Sequence, residues 1–198
     1  MKRIFLISLF SFVLSCAKNF DKSKILEVSP PPTAKIEGKH AIFISQKNFN
    51  QINRIKSENC ESWALKLNFD EPIKKSIENL VNKMFKDFEI VDYKLEKERI
   101  EENGFVSQVS FYDFKADSQF ETVRNTGIYQ ISLDVKIEVS NSTKSITNDI
   151  SSNMNWEKNI FINCNLQKGA VKSGQKALKN LIERVYETTY ESIFQIKR

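Results

Sequence analysis

The sequence predicts an α+β fold, a largely antiparallel sheet with two amphipathic helices packed on one face, in a single domain over residues 40–198. Two patterns carry this. In "IYQISLDVKIEV", Tyr129, Ile131, Leu133, Val135, Ile137 and Val139 alternate with Gln130, Ser132, Asp134, Lys136 and Glu138, the period of a strand with one dry and one wet face. Over 73–88 and 171–194 the apolar residues instead recur three and four apart, the stripe of a helix.

The elements follow in order. "AIFIS", Ala41–Ser45, is a continuous apolar run suited to a buried strand, and "SWALKLNF" alternates with Trp63, Leu65, Leu67 and Phe69 on one face. From Asp70 the period changes: Ile73, Ile77, Leu80, Val81, Met84, Phe85 and Phe88 form one helical stripe. Asp70 is placed to cap this helix, and Pro72 sits in the first turn, where its missing N–H costs nothing. Lys74, Lys75, Lys83 and Lys86 give it a solvated outer face. "EIVDYKL" and a charged connector, Glu96–Asn103, lead into three strand-like stretches. The alternation over 129–139 implies a sheet covered on one side only. "NSTK", Asn141–Lys144, reads as a hairpin turn, after which Ile146, Ile150, Met154 and Trp156, then Ile160 and Ile162, keep parity. A closing helix from about Val171 carries Val171, Gly174, Leu178, Leu181, Ile182, Val185, Tyr190, Ile193 and Phe194 on its apolar stripe. Lys172, Lys176 and Lys179, then Glu183, Glu187 and Glu191, run down its other side. The glutamates are like charges at i, i+4 spacing, a mild cost in isolation.

The segment before this domain gives an address. Lys2 and Arg3 precede "IFLISLFSFVLS", twelve uncharged and mostly apolar residues. A membrane-spanning helix needs roughly 20, so the run fits a secretory signal over residues 1–15. Its end, Val13, Leu14 and Ser15 before Cys16, resembles the lipobox of bacterial lipoproteins; Leu14, where a smaller residue is usual, is a departure. That resemblance implies a diacylated Cys16 thiol, cleavage before Cys16 and acylation of the new amino group, so that the chain meets the membrane through its N-terminal acyl chains. One acyl chain holds only reversibly, whereas two or three hold firmly, at roughly 0.8 kcal/mol per buried CH2. Ala17 in place of an aspartate implies sorting to the outer membrane, with the domain facing the periplasm.

Residues 16–39 hold the lipidated cysteine and a flexible tether. Pro30, Pro31 and Pro32 favour an extended stretch without backbone pairing. The order of features, from lipobox and tether through "LNFDEPIKKSIENLVNKMF" and the hairpin strands to the terminal helix, is similar to the YajG-type outer-membrane lipoproteins. That family brings no catalytic residues to carry over.

Composition narrows the function classes. Forty per cent hydrophobic and 28% charged residues are ordinary for a globular domain. The net charge of +5 falls to +3 once Lys2 and Arg3 leave with the signal, and the lysines are interspersed with glutamates, so no nucleic-acid partner is expected. His40 is the single histidine, which excludes a two-histidine zinc site; standing at a strand start, it reads as a surface or capping residue. No nucleophile elbow, P-loop or dinucleotide fingerprint occurs, and five glycines leave little material for a phosphate cradle. The expectation is a protein that is not an enzyme and has no catalytic, cofactor-binding or metal-binding residues.

Two cysteines remain once Cys16 carries lipid. Cys60 and Cys164 each fall at an end of a strand run, and an even pair in an exported domain points to a disulfide, with two buried free thiols as the other reading. The functional expectation is a lipid-anchored, non-catalytic binding or assembly module for an envelope partner that the sequence does not name. The alternative is a carrier that holds an apolar ligand between helices and sheet, for which the fifteen phenylalanines would supply lining.

Overall fold

The computed structural model describes residues 18–20, 35–45, 65–67, 69–123, 126–159 and 167–197. The strands are β1 (Lys18–Phe20), β2 (Ile36–Ile44), β3 (Leu65–Leu67), β4 (Phe85–Val91), β5 (Ser107–Val123), β6 (Thr126–Ser140) and β7 (Ser145–Asn159). The helices are α1 (Asp70–Met84), α2 (Lys97–Glu102) and α3 (Gln167–Ile196). β1 and β3 pair in parallel as a small separate ribbon, while β4-β2-β5-β6-β7 form the main sheet.

That sheet is mixed, which corrects the expectation of a largely antiparallel one. β2 pairs in parallel with both β4 and β5, whereas β5, β6 and β7 pair antiparallel. The parallel half arises because α1 carries the chain back across the sheet before β4 begins, and α2 does the same before β5; parallel neighbours need such crossovers. The continuous apolar run of β2 fits this placement, since parallel strands are buried on both faces. Ile42 and Ile44 join the main core, whereas Ala41 points the other way to Leu95, Ile100 and Phe105 around α2. The sheet is therefore covered on both sides at its parallel edge, not on one side throughout.

One core cluster joins Ile73, Ile77, Leu80, Val81 and Met84 of α1 and Leu178, Leu181, Ile182 and Val185 of α3 to the inward residues of the sheet. Tyr129, Ile131, Leu133, Val135, Ile137 and Val139 of β6 are all buried in it, as their alternation requires. The Asn141–Lys144 turn closes as expected. Asn141 N–H donates to Lys144 O at 2.9 Å, and Asn141 Oδ1 accepts from the N–H groups of Thr143 and Lys144 at 2.9 and 2.7 Å.

Three local expectations fail. Asp70 is the first helical residue of α1 and not its cap; Phe69 takes that place, without a side-chain cap bond, and its carbonyl accepts from Ile73 N–H at 2.9 Å. Phe85 and Phe88, which continue the 3–4 spacing, lie in β4, because the chain turns extended at Phe85 to pair with β2. The charged connector contains α2, a helix too short to show a period, held by the single buried Ile100.

Candidate functional site

The outer face of β5–β6–β7 is a polar grid built by strand parity. The residues that alternate with the buried ones stand in cross-strand rows: Gln119–Gln130–Asn155, Asp117–Ser132–Asn153 and Lys115–Asp134–Ser151. Strands about 4.8 Å apart with side chains about 6.8 Å apart along one face make this a dense array of hydrogen-bonding groups. The first two rows line a shallow hollow of about 140 Å3, and the third, with Asp113, Lys136 and Asp149, lines a second. Lys136 Nζ lies 3.5 Å from Asp113 and 3.6 Å from Asp149, so one lysine bridges two of the second hollow's aspartates.

Beside these hollows Glu138 is the hub of a half-buried cluster. It accepts from Lys94 Nζ at 2.6 Å, Ser145 Oγ at 3.0 Å and Tyr112 Oη at 3.1 Å. Burial pushes its carboxyl up, but these donors outweigh burial and hold it below the usual carboxylate range. Burial, and then the Glu138 charge, push the Tyr112 phenol up to about 12. A bulge at Asp113, with φ of 51°, falls where the β5–β6 register shifts, next to this cluster.

His40 differs from its surface or capping expectation, being fully buried. The strand starts at Ile36, not at Ala41, and a bulge between Ile36 and Lys39 turns the imidazole inward. Nδ1 lies 2.7 Å from Ser107 Oγ, Nε2 lies 3.2 Å from Glu37 O, and the Phe85 ring is 4.7 Å away. The Glu37 carbonyl can only accept, which assigns the proton to Nε2 and makes Nδ1 the acceptor from Ser107. Burial pulls the pKa down to about 4. The ring is a structural wedge between β2, β4 and β5.

The three residues that the sequence singles out, Cys16, Cys60 and Cys164, lie outside the described residues. β1 begins two residues after Cys16 and pairs with β3, as Lys18–Leu65, Asn19–Lys66 and Phe20–Leu67. Among the described residues no three His, Cys, Asp or Glu side chains converge to hold a metal ion, and no helix is long and apolar enough to cross a membrane. The grid offers donors and acceptors for binding. Its raw signal, the polar half of the 129–139 alternation, is visible in the sequence, but the cross-strand rows are not.

No family model matches the chain, and no curated protein matches it. Solved structures resemble it in outline. A minor lipoprotein from Acinetobacter baumannii is 4% identical, with 78% of this chain and 91% of that one covered and a TM-score of 0.45. A putative neuraminyllactose-binding hemagglutinin homolog from Helicobacter pylori is 11% identical, over 86% of this chain and 99% of that one, with a TM-score of 0.42. A lipoprotein from Neisseria meningitidis is 10% identical over 73% and 98%, with a TM-score of 0.32. At such identities and scores these likenesses carry no argument about function.

Proposed function

We propose that this chain is a lipid-anchored envelope lipoprotein whose folded domain serves as a non-catalytic binding or assembly module, held at the outer membrane and facing the periplasm. The observation that carries the reading is the end of the apolar run at Val13-Leu14-Ser15-Cys16, behind a basic start. The polar grid on β5–β6–β7 supports a binding role, because it presents many hydrogen-bonding groups without a recognisable nucleophile–base pair. The hollow around Lys136 has a mainly polar lining, which suits a polar surface partner better than an apolar cargo.

Mass spectrometry of the protein from membranes tests the anchor. The expected mature chain starts at an acylated Cys16, and Cys16→Ser releases or stalls it. A mature chain that starts at Cys16 without lipid, or that retains Met1, refutes the reading.

A further inference from the structure

The charges of α3 are laid out in an unusual order. Its outer stripe begins with Lys172 and Lys176, continues through Lys179, and ends in Glu183, Glu187 and Glu191. α3 has no acidic residue in its first turn and no basic one in its last, whereas α1 opens on Asp70 and Glu71 and has Lys83 in its last turn, the arrangement that complements a helix dipole. Lys172 and Lys176 repel at i, i+4, as do the glutamates among themselves; only Lys179–Glu183, at 3.7 Å, pairs across the boundary. The helix gains almost nothing from this order. The two blocks span 20 residues from Lys172 to Glu191, and their centres lie about 17 Å apart along the helix, roughly twice the 8 Å screening length at physiological salt. An external surface therefore meets Lys172 and Lys176 with little cancellation by Glu187 and Glu191, while Lys179 is paired with Glu183.

The fold sets that block at the end of α3 that Phe69 packs against. β1 starts two residues after Cys16 and is paired with β3. β3 leads through Phe69 directly into α1, and Phe69 packs against the backbone of α3 at Gly174, where an added Cβ would sit 3.1 Å from the Phe69 ring. Gly174 lies between Lys172 and Lys176 in sequence. The glutamate end is remote, because Asn141 in the β6–β7 turn donates to Ile196 O at 3.0 Å.

We infer that the domain docks on an anionic phospholipid surface through the lysine half of α3, with Lys172 and Lys176 on the lipid phosphates and the glutamate half directed away from the bilayer. Lys74 and Lys75 are also exposed, in the first half of α1, with Lys75 bonded to Glu71. The charge order sets the orientation, and the acyl chains supply the hold. The inference rests on lipidation at Cys16, and its test is independent of it.

The test uses the chain from Ala17 onward, which has every described residue and no acyl group. It is mixed with sedimentable vesicles of phosphatidylglycerol and phosphatidylcholine, or of phosphatidylcholine alone. Binding is expected only to the anionic vesicles and is lost as salt rises. The pair Lys172→Gln and Lys176→Gln should weaken it roughly thirtyfold, at about 1 kcal/mol per lysine. The pair Lys144→Gln and Lys197→Gln removes the same charge from the opposite end and should weaken it no more than about threefold, as a distant charge does. Equal losses for the two pairs mean attraction by net charge alone and overturn the oriented surface, as does equal binding to neutral vesicles or none to either. Circular dichroism confirms that each variant is folded. An unmodified Cys16 in the cellular protein sinks the anchor reading and leaves these vesicle results standing.

Discussion

Acidification from pH 7 to pH 5 is expected to strip this domain of stability through one residue, His40. The neutral ring is fully satisfied, by Ser107 Oγ at 2.7 Å and Glu37 O at 3.2 Å, in a fully buried site. Burial lowers its pKa from 6.5 to about 4; the nearby Lys197 charge adds to the shift, while Asp87 and the Glu37 carbonyl oppose it. Between those values the unfolded chain binds a proton that the folded one refuses. Stability from this site is therefore complete above pH 6.5 and is lost as pH falls towards 4. At about 1.4 kcal/mol per pH unit, the step from pH 7 to 5 costs about 2 kcal/mol, and the loss levels off near 3 kcal/mol below pH 4. Against a total of about 5–15 kcal/mol for a typical domain, that is measurable by urea unfolding. His40→Gln keeps a donor near Glu37 O without a titrating ring. The variant is expected to be less stable at pH 7 but to lose about 2 kcal/mol less than the parent between pH 7 and 5. Equal losses in the two chains would refute the role assigned to His40.

Two further outcomes are expected. Cys60 and Cys164 enclose a loop of roughly 100 residues, for which a bridge contributes at best about 4.7 kcal/mol. Alkylation of denatured, unreduced protein should label neither cysteine, and labelling of both removes the bridge. Gly38, at φ of 102°, stands where an added Cβ would lie 2.7 Å from Val106 Cγ2, so Gly38→Ala should cost about 1–3 kcal/mol through strain alone. An unchanged melting temperature would show that the bulge relaxes freely.

Much of the antiparallel half was legible because its cues are local. Alternation along β6 needs one dry face, and Asn141 supplies the turn that returns the chain as β7, so residue identity settles both. The stripe of α3 was legible for the same reason, although Phe194 is exposed and the helix begins at Gln167, ahead of the expected Val171. The boundary between α1 and β4 was not. No glycine or proline marks it, and Phe85 and Phe88 prolong the helical spacing. Pairing with β2, distant in sequence, ends the helix. The polar rows of the outer sheet face were half legible: parity marks Gln130, Ser132 and Asp134 as wet, but only strand pairing sets them beside Gln119, Asp117 and Asn153.

By itself the sequence determined the α+β class, the amphipathic stripe of each long helix, the dry and wet sides of β6, and the lipobox-like run that ends at Cys16. Each of these depends on residues a few positions apart, where side-chain period and turn chemistry act directly. Tertiary structure alone decided the mixed order β4-β2-β5-β6-β7, the second covered face under α2, the burial of His40 against Ser107 and Phe85, and the packing of Phe69 against α3 at Gly174. Those features join segments tens of residues apart. Which strand neighbours which, and which polar group is drawn inside, depends on how whole faces of buried area fit together, and no local window of sequence contains that sum.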